Sequence, residues 1–77
     1  MYEPTDWLIA TVGHRCYAMK ADLSEFYDPA GLRRKTARWS LNQRFTKERA
    51  EKFVDKMNAK GRAVRVNGKG AVYEEDA

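Results

Sequence analysis

The chain has 77 residues, 15 Lys and Arg against 11 Asp and Glu, and a formal net charge of +4. That length supports one small domain with a thin stability margin, and an apolar content of 43% is too high for a disordered chain. No apolar run approaches the ~20 residues that span a bilayer, residues 1–6 lack the basic start of a signal peptide, and a lone Cys16 excludes an internal disulfide framework. The expectation is a soluble, cytoplasmic protein.

Residues 6–21 predict a β-hairpin. Trp7 to Val12 is apolar and partly β-branched, Gly13-His14 supplies a Gly-first type II′ turn, and Arg15 to Met19 returns. That turn sets Val12 opposite Arg15, Ala10 opposite Tyr17 and Leu8 opposite Met19. The period of two then puts Leu8, Ala10, Val12, Tyr17 and Met19 on one face, expected to be the core. Trp7, Ile9, Cys16 and Ala18 share the other face, which is unusually apolar for a solvated surface and is a candidate dimer interface. An odd cysteine there offers a cross-link between two copies, or a semi-buried thiol acting as a small hydrophobe.

Asp22-Leu23-Ser24-Glu25 has the form of a capping box and predicts a helical turn through Tyr27. Asp28-Pro29-Ala30-Gly31 stops it with type I turn chemistry. A third strand is expected at about residues 36–41, where Ala37, Trp39 and Leu41 alternate with Thr36, Arg38 and Ser40. The clearest element is a helix from Lys47 to Lys60. Thr46 is its N-cap, Phe45 its staple onto Ala50, and Gly61 its C-terminal stop. Ala50, Phe53, Val54 and Met57 form its apolar stripe. A second hairpin follows, with strands at residues 62–66 and 70–73 around an Asn67-Gly68 type I′ turn, and then a frayed acidic tail at residues 74–77. The fold class is α+β: one domain, residues 1–77, with a small, mostly antiparallel sheet packed on one long helix in the order β-β-β-α-β-β. One helix covers one sheet face, so the other face is expected to be solvated or covered by a partner.

Catalysis finds no support in the residues. His14 sits in a turn, the carboxylates are scattered, no metal-ligand spacing exists, and Gly68-Lys69-Gly70 lacks the spacing of a phosphate loop. No catalytic residue, metal or cofactor is expected. Charge is the informative feature. Residues 33–69 hold thirteen of the cations and only three acids, Glu48, Glu51 and Asp55, whereas both ends of the chain are net acidic. Glu48–Lys52 and Lys52–Asp55 account for part of this as pairs on the helix surface. Arg33, Arg34, Lys35, Arg38, Arg44, Arg62, Arg65 and Lys69 remain unbalanced outside the helix, and Arg33, Arg34, Lys35, Arg38 and Arg65 are the candidate basic patch for a nucleic-acid backbone, if the strands carrying Arg38 and Arg65 share a sheet. Asp22, Glu25, Phe26, Tyr27 and Asp28 form a second candidate, an acidic and aromatic loop able to engage a basic protein surface.

The order of three strands and a helix over residues 7–60 resembles the integrase-arm and AP2-type DNA-binding fold, although about fifteen residues separate the second and third strands here. In size, class and its single exposed-face Cys16, the chain is similar to the small phage-encoded anti-CRISPR proteins, of the kind that inhibit a type I-C effector complex. That resemblance implies a phage or mobile-element accessory protein acting in the host cytoplasm. It would bind an effector subunit and block DNA or PAM recognition, with no membrane contact and with a homodimer through Cys16. It carries no residue roles, so the acidic loop and the arginine face are its candidate contacts. The alternative is a small basic nucleic-acid-binding protein using the arginines.

Overall fold

The computed structural model describes residues 4–33 and 35–75. Six strands and one helix follow in the order β1 (Trp7–Val12), β2 (Arg15–Lys20), β3 (Phe26–Tyr27), β4 (Arg38–Trp39), α1 (Lys47–Lys60), β5 (Val64–Val66) and β6 (Val72–Glu74). The class is α+β as expected, with one more strand before the helix. The first four strands form an antiparallel sheet in the order β3-β2-β1-β4, and β5 and β6 form a separate two-stranded sheet.

The first hairpin has the expected register, with Val12 opposite Arg15, Ala10 opposite Tyr17 and Leu8 opposite Met19. Gly13 adopts φ 61, which a Gly-first turn requires. Leu8, Ala10, Tyr17 and Met19 are buried as expected, but the opposite face is not a surface. Helix α1 packs on the side of Trp7, Ile9, Cys16 and Ala18, and these four join Phe45, Ala50, Val54, Met57 and Val64 in one buried cluster. Ile9, Cys16 and Ala18 are fully buried and Trp7 is 3% exposed. Burying a large apolar side chain stabilises by about 1.5–3 kcal/mol, and the helix stripe of Ala50, Val54 and Met57 supplies the matching apolar surface.

Leu8, Ala10, Tyr17 and Met19 are buried as well, in a second cluster capped by Leu32. The chain's own Ala30, Leu32 and Ala37 pack over that face. Asp28 organises the cover, its carboxylate accepting from the Leu32 N–H at 2.9 Å and from the Arg33 N–H at 2.9 Å. The sheet therefore has two apolar faces, and both belong to the interior.

The helix is bounded as its sequence dictates. The Thr46 side chain accepts from the Arg49 N–H, and Gly61, at φ 70, returns its N–H to the Met57 carbonyl. Phe45 precedes it as a buried staple, its ring 5.7 Å from that of Phe53.

Four local expectations change. Residues 22–27 form no helical turn, because Asp22 accepts from the Ser24 N–H and hydroxyl in a local turn and Phe26–Tyr27 then pairs with β2. The third expected strand shrinks to Arg38–Trp39, since Leu41 N–H turns back to the Trp39 carbonyl and Leu41 ends up 59% exposed. The second hairpin turns over three residues instead of two. The Asn67 side chain accepts from the Lys69 and Ala71 N–H groups, and Gly70, at φ 79, takes the left-handed position expected of Gly68. The tail is partly tied down. Glu74 belongs to β6 and pairs with Lys60 and Arg62, and Glu75 pairs with Arg65. Residues 76–77 of the expected frayed tail lie outside the described residues.

Candidate functional site

The proposed dimer patch is removed by the fold. Trp7, Ile9, Cys16 and Ala18 lie beneath α1 of the same chain, leaving no surface there for a second copy. Burial also pushes the Cys16 thiol up to about 12, far from the reactive thiolate range. The physical reason is that the apolar helix stripe and this apolar strand face bury each other.

The acidic and aromatic loop is divided between two sides of the sheet. Phe26 pairs with Met19 and faces the second cluster, whereas Tyr27 pairs with Ala18 and faces the helix. The Tyr27 hydroxyl donates to Asp55 at 2.7 Å, which raises its pKa. Asp22 is engaged by Ser24, whose hydrogen bonds lower its pKa. Glu25 sits between Lys20 and Lys47 at 4.0 and 3.9 Å. Asp28 is spent on the covering loop. Each acid performs a local structural task, and the five residues do not form one surface.

The basic patch is reorganised. Arg34 lies outside the described residues. Arg38 and Arg65 stand in different sheets, yet both line a cleft of about 450 Å³ between them, together with Thr11, Thr36 and Tyr73. Arg65 is neutralised there, its Nε donating to Glu75 at 2.8 Å. Lys60 and Arg62 are likewise taken by Glu74.

What remains is a belt along the edge of the four-stranded sheet. Strand β4 is an outside strand, and the segment around it presents exposed Lys35, Arg38 and Arg44, whereas exposed Arg33 reaches the opposite edge, its guanidinium over the Phe26 ring of β3. The second hairpin adds exposed Lys69. Its tip is fastened to this segment, where Asn42 donates Nδ2–H to the Lys69 carbonyl at 2.6 Å and its own N–H to the Gly70 carbonyl. Among the described residues none of these five cations makes an ion pair. Arg44 and Lys69 were outside the expected patch. Arg44 precedes the helix in an unremarkable stretch, and only the Asn42 contact brings Lys69 to it.

Beside the belt lies a hollow of about 700 Å³ lined by Tyr17, Met19, Leu23, Phe26, Asp28, Gly31, Arg33 and Trp39. Phe26 and Trp39 are half-buried on its walls. The Arg33 guanidinium lies 3.7 Å from the Phe26 ring centroid. Tyr17 forms the floor, its ring 6.5 Å from Phe26, and burial with the Asp28 charge nearby raises its pKa. The sequence names these aromatics but does not gather them: Phe26, Tyr17 and Trp39 come from three strands, and only the sheet order joins them.

Among the described residues no group of three or more His, Cys, Asp or Glu is placed to hold a metal ion, and no helix is long and apolar enough to cross a membrane. Comparison of the chain with protein-family models, with curated proteins and with solved structures finds no match in any of the three.

Proposed function

We propose that this protein binds nucleic acid through the cationic belt along β4. The observation that carries the reading is the division of charge. Arg33, Lys35, Arg38, Arg44 and Lys69 are exposed and free of ion pairs among the described residues, whereas Lys60, Arg62 and Arg65 are held by Glu74 and Glu75. Exposed, uncompensated cations, three of them on the segment around β4, neutralise phosphates and release counterions. The test is fluorescence anisotropy with labelled oligonucleotides over a salt series. Log affinity falls by roughly 0.7–0.9 per phosphate contacted for each unit of log salt. The triple variant Lys35→Glu, Arg38→Glu, Arg44→Glu abolishes retention at low salt, and Arg65→Glu changes it little. An absence of binding by the wild-type protein at low salt overturns the reading.

A second reading is favoured by Leu23. This large apolar residue is held 49% exposed with φ 65, in a region that side chains avoid, at the rim of the hollow. An apolar projection of this kind suits contact with a protein surface, as an inhibitor of the anti-CRISPR kind makes. Retention of a purified type I-C effector complex by the wild-type protein, lost in Leu23→Asp, supports this reading, and no retention removes it.

A further inference from the structure

We infer that the nucleic acid is single-stranded, and that the hollow beside the belt receives unpaired bases stacked on Trp39 and on the Arg33–Phe26 pair. The inference rests on the nucleic-acid reading above and adds the class of ligand. The two rings stand on opposite edge strands and rise from the same face. Phe26 pairs with Met19, which pairs with Leu8, and Trp39 pairs with Ala10, which pairs with Tyr17. Three strand spacings set their backbone positions about 14 Å apart across the sheet. One base therefore stacks on the Arg33–Phe26 pair and another on Trp39, with Leu32, packed on Tyr17 and Met19, between the two positions.

Charge decides the occupant. The cation lining the hollow is Arg33, stacked on Phe26, and exposed Lys35, Arg38 and Arg44 follow it along the chain around β4. Asp28 is the one acid lining the hollow, and the backbone N–H groups of Leu32 and Arg33 occupy its carboxylate. An anionic chain with flat, apolar faces fits both the rings and the belt, because every base offers a stacking face and every linkage a phosphate. A duplex keeps its base faces inside its own stack, so rings recessed in a hollow cannot reach them. A free mononucleotide would leave the length of the belt unused.

The experiment compares three labelled probes of equal length: an oligothymidylate, an abasic oligonucleotide with the same backbone, and a duplex. Anisotropy and tryptophan emission are read together. The expected result is at least about tenfold tighter binding of oligothymidylate than of the abasic strand, from stacking at 1–3 kcal/mol per base. Emission is quenched on binding, and the quench disappears in Trp39→Leu because Trp7 is 3% exposed and sealed in the core. Trp39→Phe restores a ring and most of the affinity. Phe26→Leu keeps the apolar volume, and circular dichroism checks that both leucine variants are folded. Equal, salt-sensitive binding of all three probes without quenching overturns the stacking site and leaves the phosphate-binding belt standing. Binding of no probe at low salt overturns both. Binding of a protein partner that Trp39→Leu abolishes, with no nucleic acid retained, assigns the hollow to a protein and also overturns the inference.

Discussion

Asn58 on the helix closes the open edge of β2 at Cys16: its Oδ1 accepts from the Cys16 N–H at 2.9 Å and its Nδ2–H donates to the Cys16 carbonyl at 3.1 Å. Strand β3 pairs with β2 only at Ala18 and Met19. Beyond it, the outward-facing groups of Cys16 have no neighbouring strand, and the side-chain amide takes the place of one. This contact fastens helix to sheet by geometry as well as by apolar burial.

Asn58→Ala therefore removes two hydrogen bonds and leaves two backbone groups without partners. At about 1 kcal/mol per bond, urea denaturation should read a loss of about 2–3 kcal/mol. Asn58→Asp keeps the acceptor but loses the donor, and should cost more than half as much. A loss below 0.5 kcal/mol in the alanine variant, roughly the effect of a surface substitution, would show that the amide only decorates the edge.

Ser40 performs a related task on the other side of the sheet. It is fully buried, its hydroxyl accepting from the Ile9 N–H at 3.0 Å and donating to the Gln43 carbonyl at 2.9 Å. Ser40→Ala strands a buried donor, at a cost of about 1–3 kcal/mol. Thermal melts should place Ser40→Ala well below wild type and Ser40→Thr above Ser40→Ala, if the hydroxyl is what matters.

Cys16 links stability to pH. Burial raises its folded pKa to about 12 from the ordinary thiol value of 9.0. The stabilisation is complete below about pH 9. As pH rises further, the unfolded chain loses the thiol proton while the folded chain keeps it, so unfolding becomes easier, by up to about 1.4 kcal/mol per pH unit. Denaturation at pH 8 and pH 10 should show this fall, and Cys16→Ala should flatten it. Native protein should react with a thiol reagent only as fast as it unfolds, and a non-reducing gel should show no cross-linked dimer.

Asp28 holds the covering loop, and through it the hollow. Asp28→Ala frees the Leu32 and Arg33 N–H groups and weakens the seat of Leu32, which is 9% exposed. Hydrogen exchange should quicken at Leu32 and Arg33 while helix α1 stays protected, and stability should fall by about 1–3 kcal/mol. Uniform exchange across the chain would instead mean that the loop and the helix-side core unfold together.

Short-range signals in the sequence specified the elements that depend on neighbours. Gly13 set the first turn and with it the register of Leu8 with Met19. Thr46 and Gly61 set the ends of the helix, because cap chemistry acts within four residues. The alternation of Trp7 to Met19 established that both hairpin faces are apolar, but alternation carries no label for which face the helix takes. The tertiary structure made that choice: α1 covers the Cys16 face, and Leu32 covers the Tyr17 face. The same limit applies to function. The sequence established an excess of cations between residues 33 and 69. Which of them remain free is decided by contacts distant along the chain, Glu75 with Arg65 and Asn42 with Lys69. Charge is additive along a sequence, whereas an ion pair or a shared surface exists only once folding brings its members within reach.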